Sequence, residues 1–126
     1  MSTEDTIIWN RFLEAYGAEY ESFDYDIKVG EGEAPLPTLP DNYKKMVRDL
    51  TRKRIDAVGY KDGEIHIFEV KPFAKLSVLG QIIAYTELYT DAHTTSEAIF
   101  SIVVCEQVDT DTKKLLTKYR TVIILV

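Results

Sequence analysis

The chain has 126 residues, a formal net charge of −6, 45% apolar residues, 29% charged residues and a single cysteine, Cys105. This is enough chain for one domain with its own core, and the composition excludes a disordered or fibrous protein. No apolar run approaches the ~20 residues of a membrane span, the acidic start lacks a signal-peptide layout, and a lone cysteine cannot form an internal disulfide. The expectation is therefore a cytoplasmic protein with no membrane partner.

In chain order, residues 4–16 place Ile8, Trp9, Phe12, Ala15 and Tyr16 at helical spacing. In 22–29, Phe23, Tyr25, Ile27 and Val29 alternate with polar residues, so all four are expected on one face of a strand. The segment 30–43 holds three prolines and two glycines and is expected to be an irregular loop. A short helical turn is expected around 42–50, within a stretch (44–54) carrying six bases and one acid. Two strands follow, joined at Asp62-Gly63, and Pro72 is expected to end the second. Leu76, Leu79, Ile82, Ile83 and Leu88 then mark a helix. The apolar run 97–106 reads as a strand covered on both faces, with Cys105 an inert core thiol. Residues 109–119 begin with capping residues and read as a short helix, and 121–126 as a final buried strand. The fold class is α/β, a single domain over 1–126 with a central mixed sheet flanked by helices, in the order α-β-β-β-α-β-α-β.

The hairpin raises a chemical question. An Asp-Gly loop favours a type I′ turn, which fixes the register so that opposed residue numbers sum to 125. Asp56 then faces Glu69, with Lys71 on the same side. Opposed carboxylates repel, and partial burial makes their joint ionisation costlier. A shared proton, a pairing with Lys71 or Arg54, or a bound divalent cation would offset the cost. Oxygen-only ligation suits Mg²⁺ or Mn²⁺, which keep several waters and bind through one or two carboxylates. A zinc site is not expected from His66 and His93, which have no cysteine partner. There is no glycine-rich phosphate loop and no serine nucleophile elbow.

Asp56 followed on the partner strand by Glu69-Val70-Lys71 resembles the signature of the PD-(D/E)XK nuclease superfamily. The order of elements agrees, and Gln81-Ile-Ile-Ala-Tyr85 on the following helix is similar to the Gln-X-X-X-Tyr motif of the RecB-like branch. The resemblance covers roughly residues 4–105. The name-giving proline is absent, since Ile55 precedes Asp56. The resemblance implies a restriction-endonuclease-like core and an Mg²⁺- or Mn²⁺-dependent nuclease, with DNA favoured over RNA. It further implies metal ligation by Asp56 and Glu69, completed by the Val70 carbonyl. Lys71 would act on the attacking water, and Gln81 and Tyr85 would join the catalytic group. A first-helix glutamate would add a ligand: Glu14, or alternatively Glu19. Arg52, Lys53, Arg54 and Lys75 would meet substrate phosphates, with the 30–43 loop as a flap. A homodimer through the apolar last strand is an open option. Two rival readings stand beside this one: a catalytically silent nuclease-like scaffold in a larger, for example phage, assembly, and an unrelated α/β domain whose Asp56–Glu69–Lys71 cluster is a salt bridge.

Overall fold

The computed structural model describes residues 1–126. Helix α1 (Thr3–Tyr16) opens the chain and a 3-10 turn (Gly17–Glu19) leads into β1 (Ser22–Val29). Then come α2 (Asp41–Thr51), β2 (Lys53–Lys61), β3 (Glu64–Ala74), α3 (Leu76–Ala92), β4 (Ala98–Val108), α4 (Thr110–Lys118) and β5 (Val122–Leu125). The five strands lie in sequence order in one mixed sheet. β1–β2 and β2–β3 are antiparallel, while β3–β4 and β4–β5 are parallel and joined by crossover helices. No helix is long and apolar enough to cross a membrane.

The sheet separates two apolar layers. α1 packs Ile8, Trp9 and Phe12 against Ala57, Phe68, Val70, Ile102 and Val104. The other face carries α3 and α4, with Val78, Ile82, Tyr89 and Leu116 on Val58, Ile65, Ile67, Val103 and Cys105. Residues 102–105 of β4 are buried towards both layers, as the apolar run requires. The buried face of α3 runs through Val78, Ile82 and Tyr89, whereas Leu76 and Ile83 point outward. The thiol of Cys105 is fully enclosed and burial pushes its pKa up to about 11.

The hairpin forms in the expected register. Asp62 and Gly63 both have positive φ (50° and 73°), and pairs from Lys61–Glu64 to Ala57–Phe68 sum to 125. The ladder stops there, one residue before Asp56 would meet Glu69. On its other side β2 also loses a rung. Tyr25 pairs with Ala57 and Ile27 with Ile55, but Asp26 and Asp56 between them are unpaired. Asp26 sits at φ 55°, a left-handed conformation that aspartate tolerates better than most residues.

The consequence is a change of face in both strands. Phe23 packs on the α1 side, and Tyr25 accepts a hydrogen bond there from Trp9 Nε1 at 3.1 Å. Ile27 and Val29 pack on the α3 side. Across the ladder, Ala57 belongs to the α1 layer and Ile55 to the α3 layer. The expected single-faced alternation of Phe23 to Val29 is thus broken at Asp26.

Three further expectations are corrected. β3 runs through Pro72 to Ala74, because β2 has already diverged and the side facing it needs no N–H there. The irregular loop ends at Pro40, and the turn around 42–50 is a full helix of 11 residues. β5 is an edge strand rather than a buried one, with Val122 and Leu125 about half exposed.

Two glycines test this packing. A Cβ on Gly59 would lie 2.8 Å from the Tyr20 ring and 2.9 Å from that of Phe23. Gly59→Ala should therefore destabilise the fold by about 1–3 kcal/mol in urea denaturation. Gly80, inside α3 with nothing within 4 Å of its Cβ position, should gain about 0.4–1 kcal/mol as Gly80→Ala. Equal effects at the two sites would contradict the packing described.

Candidate active site

Where β2 and β3 part, backbone groups on their facing edges lose their ladder partners, and buried ones must be satisfied otherwise. The Val70 N–H donates to Asp56 Oδ2 at 2.9 Å. One hydrogen bond therefore both closes the gap and fixes the orientation of the Asp56 carboxylate. Glu69, adjacent to Val70, is 3% exposed. Strand alternation with Ile65 and Ile67 places it towards α3.

The electrostatics of the pair are unfavourable as they stand. Burial pushes the Glu69 carboxyl up to about 8, the Asp56 charge pushes the same way, and Lys71 opposes both. Burial also raises Asp56, against the pull of the Val70 N–H. The Tyr85 hydroxyl is raised first by burial, then by the charges of Glu69 and Asp56, so Tyr85 of α3 shares this environment. Gln81 lies one turn before Tyr85 on the same helical face. Its Oε1 and Glu69 Oε2 are buried with no hydrogen-bond partner, a condition that costs roughly 1–3 kcal/mol per group.

Lys71 does not neutralise the pair directly. Its Nζ pairs instead with Asp5 Oδ2 at 3.9 Å. Asp5 is held by a capping box at the start of α1, in which its amide donates to Ser2 Oγ at 3.0 Å and its carboxylate accepts from the Ser2 amide at 3.3 Å. The first-helix acid at the site is thus Asp5, which is 7% exposed. The Ser2-x-x-Asp5 spacing was the signal for it in the sequence.

Glu14 is not brought to the site: it is exposed on the last turn of α1, nine residues and about 13.5 Å along the axis from Asp5. Glu19 is also remote, paired with Lys61 beside the hairpin turn at 3.3 Å. Of the four bases expected to meet phosphates, Lys75 lines a shallow cleft with Lys71, Glu4, Phe73 and Ser77. Lys53 is exposed at the start of β2. Arg54 pairs with Asp26 at 3.0 Å. Arg52 is committed to structure, donating to the Gly30 carbonyl at 2.8 Å and the Lys28 carbonyl at 3.1 Å. His66 is 8% exposed and hydrogen-bonds Tyr20 at 2.7 Å and Glu64 at 3.3 Å, on the α1 side.

No three His, Cys, Asp or Glu side chains converge into a ready-made metal cage. The acids that feel one another's charge here, Asp56, Glu69 and Asp5, offer oxygen donors only. That set fits a hard ion retaining several waters rather than zinc. An apolar groove of about 310 Å³, lined by Phe12, Tyr20, Phe100 and Val122, lies at the hairpin end, away from this chemistry.

Comparison with known structures bears on the architecture. A repair endonuclease from Pyrococcus abyssi superposes over 100% of this chain and 48% of its own length, with a TM-score of 0.62 and 19% identity. The chain shares its fold with solved endonucleases. EndoMS bound to double-stranded DNA and EndoMS in its apo form superpose similarly, each with a TM-score of 0.59 and 16% identity, over 46% and 47% of their lengths. The chain therefore spans about half the length of these structures. No protein-family model and no curated protein matches the sequence.

The raised Glu69 carboxyl has a consequence for stability. The folded state holds its proton to a higher pH than the unfolded chain, so folding is favoured below the ordinary glutamate range. That advantage is lost as pH rises towards about 8. Urea melts in EDTA should show stability falling across this interval, and Glu69→Gln should flatten the fall. A wild type that is insensitive to pH there would contradict a buried Glu69 carboxyl beside the Asp56 charge.

Proposed function

We propose that this chain is a nuclease that uses Mg²⁺ or Mn²⁺ to hydrolyse phosphodiester bonds, with DNA the favoured substrate. The observation that carries the reading is the buried Glu69 carboxylate, one of its oxygens unpartnered, beside the charge of the half-buried Asp56. The Val70 N–H accounts structurally for Asp56 but not for the buried Glu69 charge, where an apolar residue of similar size would cost less. The fold shared with endonucleases, one of them in complex with double-stranded DNA, supports the same reading.

Asp56, Glu69 and the Val70 carbonyl would hold the ion. Once bound, the ion would supply Lewis acidity to the scissile phosphate and a bound water of lowered pKa. The protein's own residues do the rest. The Val70 N–H holds the Asp56 carboxylate in one orientation. Lys71 sits beside the pair with only a loose, 3.9 Å partner in Asp5, so its ammonium is free to swing to a phosphate oxygen or the attacking water. There it would stabilise charge that develops in the transition state. Gln81, whose Oε1 is buried and unpartnered, and Tyr85 would line the α3 side of the site. Lys75 and Lys53 offer exposed charges for flanking phosphates.

Two measurements test this. In thermal melts, Mn²⁺ at 100 times its dissociation constant should stabilise the wild type by about 2.7 kcal/mol, and Asp56→Asn should abolish the shift. In cleavage assays on labelled DNA, Lys71→Met should lower the rate by about 10²–10³-fold while keeping the Mn²⁺ shift, because it removes a charge and no ligand. Metal binding without cleavage of DNA or RNA would leave a binding scaffold. Absence of both would favour the structural salt-bridge reading.

A further inference from the structure

Lys71 leaves unmet the charge it is best placed to neutralise. It follows Glu69 at the next same-face position of β3. The parallel register sets Glu69 beside Val103 and Lys71 beside Cys105, both in the layer on the α3 side. Glu69 is buried with Oε2 unpartnered, a deficit that an ammonium within reach would ordinarily satisfy. Yet the one ion-pair partner of Lys71 is Asp5, with Nζ 3.9 Å from Oδ2.

Asp5 competes for the lysine because its carboxylate is held in place. The capping box ties it to Ser2 through both partners, and α1 behind it is seated on the sheet by Ile8, Trp9 and Phe12. Glu4 of the same turn shares a cleft with Lys71 and Phe73 of β3 and Ser77 of α3. The first turns of α1 and α3 therefore meet at the end of β3, beyond the point where β2 has parted from it. Paired here, the Lys71 side chain stays 37% exposed, so its ammonium keeps hydration that it would lose in the buried site. Both charges still reach the acid pair. After burial, which acts first, the Asp5 charge pushes the Asp56 and Glu69 carboxyls up and that of Lys71 draws them down.

We propose that Asp5 is a positioning residue that parks the Lys71 ammonium outside the carboxylate pair, so that Asp56 and Glu69 stay open to a divalent cation. This rests on the metal-dependent nuclease reading and adds how the site avoids being filled by its own lysine. Without the Asp5 charge, the ammonium turns to Glu69 and acts as an internal competitor. A cation then binds only the fraction of molecules in which the lysine has left, and its apparent affinity falls by that fraction. The separation of 3.9 Å suits a parking place: the lysine is held without close contact and is released when a phosphate arrives.

The test is calorimetric titration with Mn²⁺ at fixed pH on the wild type, Asp5→Asn, Lys71→Met and the double variant. Asparagine keeps an oxygen to cap Ser2 and removes only the charge, so the melting temperature of Asp5→Asn in EDTA should be unchanged. Asp5→Asn should weaken Mn²⁺ binding about tenfold when Lys71 is present, and by less than about twofold in the Lys71→Met background, where no ammonium needs parking. Asp5→Glu, which keeps the charge and supplies the acid most usual in a capping box, should bind Mn²⁺ as the wild type does. Equal losses in both backgrounds would show Asp5 acting on the ion directly, and no loss in either would leave it a helix cap alone. Either result overturns the parking role and leaves the metal reading standing. Failure of both the wild type and Lys71→Met to bind Mn²⁺ would overturn the metal reading, and the parking role with it.

Discussion

The structure turns on Asp56, where β2 parts from β3 and skips one rung of its pairing with β1. Up to Ala57 the strand is an ordinary central strand, paired on each side. At Asp56 the ladder to β3 ends and that to β1 misses one rung, the faces of β1 and β2 invert, and a side-chain carboxylate takes over the Val70 N–H that a backbone carbonyl would have held. Without that divergence Asp56 would be one more pleat residue. Because of it, a charged group enters the sheet plane, and Glu69 is buried beside it. The acid pair therefore belongs to the sheet's topology and is no accident of surface side chains.

Much of this was legible in the sequence, for definite reasons. Asp62-Gly63 tolerates the positive φ that a type I′ turn needs at both positions, so the turn fixed the register over five pairs and named Asp56 and Glu69 as neighbours. The β-branched run of β4 and the capping residue Asp109 placed β4 and α4 to within a residue or two. What escaped was anything that breaks a period. A strict two-residue alternation cannot announce that it will invert at Asp26, since the residues on either side stay apolar. Pro72 reads as a terminator unless the neighbouring strand is known to have left. An apolar segment such as Val122–Leu125 looks the same whether it is central or at an edge.

The site was legible in its middle and less so at its rim. The spacing of Asp56, Glu69 and Lys71 follows from one hairpin, and Gln81 with Tyr85 from one helix. The acid on α1 depends instead on which end of that helix crosses the end of β3, a tertiary fact that helical periodicity does not contain. Only the capping pattern around Ser2 and Asp5 marked that end as special. Likewise the basic residues around the start of β2 divide by local partners, with Arg52 and Arg54 consumed by the loop and by Asp26, and this division is invisible without coordinates.

The chain's one tryptophan sits where it can watch this arrangement. Trp9 is buried between Phe12 and Phe68 and donates to Tyr25, so its ring senses whether α1 is seated on the sheet. The same helix carries Asp5. Intrinsic emission from this protein is therefore a native optical gauge of α1, free of engineered labels. It also reports from the aromatic layer opposite α3, so emission and far-ultraviolet dichroism together distinguish α1 lifting off from global unfolding.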